Sequence, residues 1–100
     1  MSAKPSCTYF RYVLPNGRRT YTSGIAANHS RCLKQALNDA KRLPDASYIY
    51  WGPTPYEDGL PYTGFMLEII HTPIVCLYRM EGTKRIQIYP REVKQYFTVR

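Results

Sequence analysis

Acidic residues are scarce in this chain. Seven Asp and Glu stand against fourteen Lys and Arg in 100 residues, and from Leu43 to Tyr78 there is no Lys or Arg at all. Closely spaced cysteines are missing too. Cys7, Cys32 and Cys76 are an odd number at wide spacing, which argues against a secreted disulfide framework and against paired zinc ligands. His29 and Cys32 are the nearest approach to a ligand pair, and Cys32 reads more simply as a small core residue. No Gly-rich phosphate loop, nucleophile elbow or His-Glu-x-x-His occurs, so the chain carries no enzyme signature and implies no cofactor. Long apolar runs are also lacking. Phe65 to Ile70 is broken by Glu68 and falls far short of the about 20 residues a bilayer requires. Met1 to Ser6 is polar, with no apolar region after it, and reads as a flexible tail rather than a signal. These absences together suggest a cytoplasmic protein with no membrane partner.

What is present fits one domain, residues 1–100. Hydrophobic residues make up 44% and charged residues 21%, an ordinary globular balance. Ten tyrosines and eight prolines push towards sheet and loop. The net charge of +7 is unevenly spread. Lys4, Arg11, Arg18, Arg19, Arg31, Lys34, Lys41 and Arg42 face Asp39 alone in the first 42 residues, and a second basic block begins at Arg79. Such a field attracts nucleic acid or an acidic protein face.

Thr8 to Leu14 and Arg18 to Ser23 read as strands joined through Pro15-Asn16-Gly17, with Asn-Gly suggesting a type I′ hairpin turn. Gly24 is expected to end the second strand. A helix then starts after Ser30 or Asn28 as N-cap. Leu33, Ala36, Leu37, Ala40 and Leu43 form its apolar stripe, and Pro44 stops it. Arg31, Lys34, Asn38, Lys41 and Arg42 fall outward. Ser47 to Trp51 is a third strand, with Tyr48 and Tyr50 on one face and Ile49 and Trp51 on the other. Residues 52–64 read as a long Pro/Gly/Tyr loop. Phe65 to Thr72 is apolar enough to be central, Ile74 to Met80 follows, and Lys84 to Tyr89 alternates with Ile86 and Ile88 inward. Pro90 opens a short helix over Arg91 to Tyr96. The expected fold class is α+β: an antiparallel sheet of about five to six strands, hairpin first, with one amphipathic helix on one face.

Three surfaces are candidates for binding. The first is a sheet face on which arginine and tyrosine recur: Arg11, Arg18, Arg19, Tyr21, Arg79, Arg85 and Tyr89. Guanidinium groups fork onto phosphates and tyrosine rings stack on bases. The same pattern is also compatible with cross-strand packing and no ligand. The second is the basic helix face of Arg31, Lys34, Lys41 and Arg42, which could lie along phosphates. The third is the loop bearing Tyr56, Glu57, Asp58 and Tyr62, suited to a protein partner.

The strand–Pro15-Asn16-Gly17–strand segment with its Ala-bearing helix resembles small DNA-binding modules built of a sheet and one helix, including the arm-binding domains of tyrosine recombinases. The likeness covers less than half the chain, which continues into at least three further strands. In size, hairpin-helix-strand order and lack of catalytic motifs the chain also looks like small phage or mobile-element proteins, anti-CRISPR proteins among them, which mask a host protein surface. The expectation is therefore a basic, non-enzymatic nucleic-acid-binding module, with an inhibitor or adaptor of a host protein as the alternative.

Overall fold

A computed structural model of the chain describes residues 7–17, 19–27, 29–53, 56–57, 60–72 and 74–93. They form one α+β domain: strand β1 (Cys7–Val13), β2 (Arg19–Ala27), helix α1 (His29–Ala40), β3 (Tyr48–Gly52), β4 (Tyr62–His71), β5 (Ile74–Gly82), β6 (Lys84–Ile88) and a short 3₁₀ helix at Pro90–Glu92. The six strands make one antiparallel sheet in the order β2-β1-β3-β4-β5-β6. The apolar β4 sits beside β3 at the centre, as its composition suggested.

One face of the sheet is closed by α1. The register aligns Phe10 with Trp51 and Trp51 with Phe65, giving a row of rings across three strands at centroid spacings of 6.1 and 5.8 Å. Ile49, Leu67, Ile69, Leu77 and Ile88 complete this face, and Cys32, Leu33, Ala36 and Ala40 of the helix pack onto it. Leu37, expected in the stripe, is 40% exposed instead, because the buried face runs through Cys32, Ala36 and Ala40, one position round. Cys32 is core as anticipated, but it is disulfide-bonded. Spacing along the chain sets no limit on distance through the fold, so the cysteine count was a poor guide here.

Several boundaries differ from the expectation. The first hairpin pairs Val13 with Arg19, and Gly17 N–H donates to the Leu14 carbonyl at 2.9 Å. Gly17 has φ +83 while Asn16 does not enter the left-handed region. That excludes a type I′ turn. Proline at the second position of Leu14–Gly17 favours the type I geometry, with glycine last. Strand β2 also runs through Gly24 to Ala27. Tyr9 pairs with Ser23 but Cys7 with Ala27, so β2 carries extra residues there and Gly24 lies in the irregularity instead of ending the strand. The helix begins at His29, which rules out Ser30 as its N-cap. Asn28 lies outside the described residues, as do the tail 1–6 and positions 94–100, which include 94–96 of the anticipated terminal helix.

Beyond Ala40 the chain tightens through bonds from Arg42 N–H to the Asp39 carbonyl (2.9 Å) and Leu43 N–H to the Ala40 carbonyl (3.4 Å), and Pro44 then ends the turn. The connection after β3 is shorter than expected. Gly52 belongs to β3, and Tyr62, Thr63 and Gly64 belong to β4.

Candidate nucleic-acid interface on the open sheet face

The face away from α1 collects the residues of opposite parity: Tyr9, Arg11 and Val13 from β1, Tyr48 and Tyr50 from β3, Tyr62, Met66 and Glu68 from β4, Cys76, Tyr78 and Met80 from β5, Arg85 and Gln87 from β6. Cross-strand register sets their neighbours. Arg11 lies opposite Tyr50, Tyr50 opposite Met66, Met66 opposite Tyr78, and Tyr78 opposite Gln87. At the far edge, β2 places position 21 opposite Arg11 and position 19 opposite Val13.

The rings form a second cluster. Tyr50, Tyr62 and Met66 are buried, and Val13, Tyr48, Tyr56, Tyr78 and Met80 pack round them half-buried. Tyr56 reaches back from the loop to stack on Tyr50, with centroids 3.7 Å apart and planes 5° apart, and meets Tyr62 edge-on at 5.4 Å. Burial, then a hydrogen bond with Tyr56, raises the Tyr50 phenol well above the usual tyrosine range. Two glycines make room for the Tyr62 ring: a Cβ on Gly64 would come within 2.6 Å of the Tyr62 hydroxyl, and one on Gly52 within 2.8 Å. An aromatic side chain lying over glycines in this way restores the contact they lack.

Charge borders this cluster. The Arg85 guanidinium sits 5.0 Å from the Tyr78 ring centroid, a cation–π arrangement that fixes its place on the face. Glu68 is half-buried. Its carboxylate accepts from Tyr78 at 3.2 Å and, at longer range, from Tyr48 at 3.5 Å. Burial and the bond to Glu68 together raise the Tyr78 phenol.

The site residues named from the sequence therefore separate. Arg11, Arg85 and Tyr56 all lie on or over the open face, Arg11 on β1 and Arg85 on β6 at opposite sides of the cluster. Tyr62 is on this face as well, but in a strand and only 3% exposed, so it supports the cluster and is not a loop contact. Arg79 belongs to the other face. Strand alternation puts it in the row of Phe65 and Ile86, where it pairs with Glu81. Arg31, Lys34 and Lys41 are exposed along α1 and its end. Arg42 is exposed but held to Asp39 at 2.6 Å. Tyr89 is 52% exposed, and its backbone N–H donates to the Glu92 carboxylate at 2.9 Å, capping the 3₁₀ helix. Glu57 is exposed in the loop. Arg19 and Tyr21 are placed by backbone pairing alone, and Arg18 and Asp58 lie outside the described residues.

Sequence reasoning passed over Glu68, Tyr78 and Tyr50 as site residues. Alternation had put Tyr48 and Tyr50 on one face, but the strand order that sets Tyr78 and Arg85 beyond them had no local signal. Among the described residues no group of three His, Cys, Asp or Glu could hold a metal ion, and no helix is long and apolar enough to cross a membrane. No family model matches the chain, and neither a curated protein nor a solved structure matches it.

Proposed function

We propose that the protein is a non-enzymatic nucleic-acid-binding module that takes a single strand across the open face of its sheet. The observation that supports this best is Arg85 held over Tyr78 at the border of a tyrosine cluster that α1 leaves uncovered. A guanidinium over the ring keeps N–H groups available to meet phosphate oxygens. Arg11, on the other side of the cluster, offers a second cation, and the β2 edge brings position 19 to the same border. Tyr48 and Tyr56 are half-buried, so part of each ring remains open to a base. A stacked base contributes about 1–3 kcal/mol. Tyr50 and Tyr62 hold these rings in place rather than stacking on bases themselves.

A different surface favours the second reading, a partner with an acidic protein face. Arg31, Lys34, Lys41 and Arg42 are exposed on α1 and its end, while the one acid of the helix, Asp39, is buried at 4% exposure. That face thus has basic and no acidic side chains, the complement of an acidic patch and the arrangement an inhibitor that masks a host protein would need.

Charge reversal separates the two. Arg85→Glu is expected to weaken binding of a labelled single strand and to lower the salt slope by about one contact, while Lys34→Glu/Lys41→Glu leaves it nearly unchanged. The opposite ranking would move the function to the helix. A protein partner that copurifies after nuclease treatment and is lost only in the helix variant would support the inhibitor reading.

A further inference from the structure

A carboxylate is out of place on a surface meant for phosphates, yet Glu68 stands on the open face, on the central strand β4 and in the row of Val13, Tyr48 and Cys76 towards one end of the sheet. It is the one acid on the described strands of that face. Its position is built rather than incidental: Oε1 accepts from Tyr78 at 3.2 Å, and the Tyr48 hydroxyl faces Oε2 at 3.5 Å, a weaker contact. The neighbouring strands place Tyr48 and Cys76 directly opposite it, and Arg85 stands over the far side of Tyr78. A carboxylate has roughly four acceptor positions, of which the two phenols occupy two.

We infer that Glu68 is a specificity-determining residue that selects bases with an exocyclic amino group over thymine and uracil. The inference rests on the nucleic-acid reading above. Phosphates avoid the carboxylate and follow the arginines at the border, which leaves the part of the face around Glu68 to base edges. Cytosine N4, adenine N6 and guanine N1 and N2 carry donors that a free carboxylate lone pair accepts. Thymine and uracil present a single N3–H between two carbonyl oxygens, and the carboxylate repels both. Single strands expose these edges, so they can be read on an open sheet.

The test is fluorescence anisotropy with labelled oligonucleotides of about a dozen nucleotides, a length matched to such sites, as cytosine, adenine and thymine tracts. The wild-type protein should bind the cytosine and adenine tracts about tenfold more tightly than the thymine tract. Glu68→Gln, which adds an amide donor able to meet thymine O4, should bring the tracts to within about twofold of one another while still binding. Tyr78→Phe keeps the carboxylate but removes one anchor, and should lose part of the discrimination. It also serves if Glu68→Gln proves unstable. A Glu68→Gln protein that binds every tract more tightly by the same factor would show a carboxylate that only repels phosphate. That result overturns the inference and leaves the binding reading intact. Equal binding of all tracts by the wild type would do the same, and no binding of any tract would overturn both.

Discussion

Asp39 shows how much one side chain can organise. It is buried at 4% exposure and accepts from Tyr12 of β1, from Gln35 Nε2 at 2.9 Å and from Arg42 at 2.6 Å. The helix is thereby tied to the sheet by a hydrogen bond as well as by packing. Asp39→Ala leaves the Tyr12 hydroxyl without its acceptor and is expected to cost about 1–3 kcal/mol in urea denaturation, with Asp39→Asn costing less. The phenols also predict an alkaline limb. Burial raises Tyr12, Tyr50 and Tyr78 in the folded state, with hydrogen bonds to Asp39, Tyr56 and Glu68 respectively adding to it. Above about pH 10 the unfolded chain gives up protons that the folded chain keeps, so stability falls as pH rises. Tyr12→Phe and Tyr50→Phe should each flatten that fall. Asp39 was visible in the sequence as the lone acid of the basic segment, but the apolar stripe read there did not include it, so its burial was not. Its partner Tyr12 lies 27 residues away, and no local pattern links them.

At the scale of elements, two backbone positions carry testable constraints. Ala46 holds φ +68 where the chain leaves the helix and joins the sheet, its N–H donating to the Ile69 carbonyl at 2.7 Å. A left-handed non-glycine residue costs roughly 1–2 kcal/mol, and glycine returns about 0.5–1 of that as extra unfolded-chain entropy. Ala46→Gly should therefore stabilise the protein by up to about 1 kcal/mol, seen as a raised denaturation midpoint; a lowered one would refute the strain. Gly64→Ala runs the other way. Its Cβ would meet the Trp51 carbonyl oxygen at 2.6 Å, and forcing β3 and β4 apart is expected to cost about 1–3 kcal/mol. Strands, helix and apolar faces were largely legible, because periods of 2 and 3.6 register burial directly. The turn type and the end of β2 were not. Pro15 overrode the Asn-Gly preference, and Gly24 falls in an irregularity instead of a terminus; both outcomes depend on pairing with β1.

Over the whole molecule the charge divides between two surfaces on opposite sides of the sheet. The outer face of α1 and its end carry Arg31, Lys34, Lys41 and Arg42 and no exposed acid, while the open sheet face carries arginines at the border of a tyrosine cluster, with Glu68 bonded to Tyr78 of it. The basic blocks were plain in the sequence. Alternation along β6, with Ile86 and Ile88 inward, had already put Arg85 on the face away from the helix. What the sequence could not show was that Arg79 falls on the helix side, since that follows from where β5 joins the sheet. The account's central claim is that a single strand binds the open face, and anisotropy titrations of single- and double-stranded oligonucleotides at low and raised salt test it most directly. It predicts tighter binding of the single strand, weakening along a log–log salt slope that counts phosphate contacts. A preference for duplex, or no binding at low salt, would contradict it.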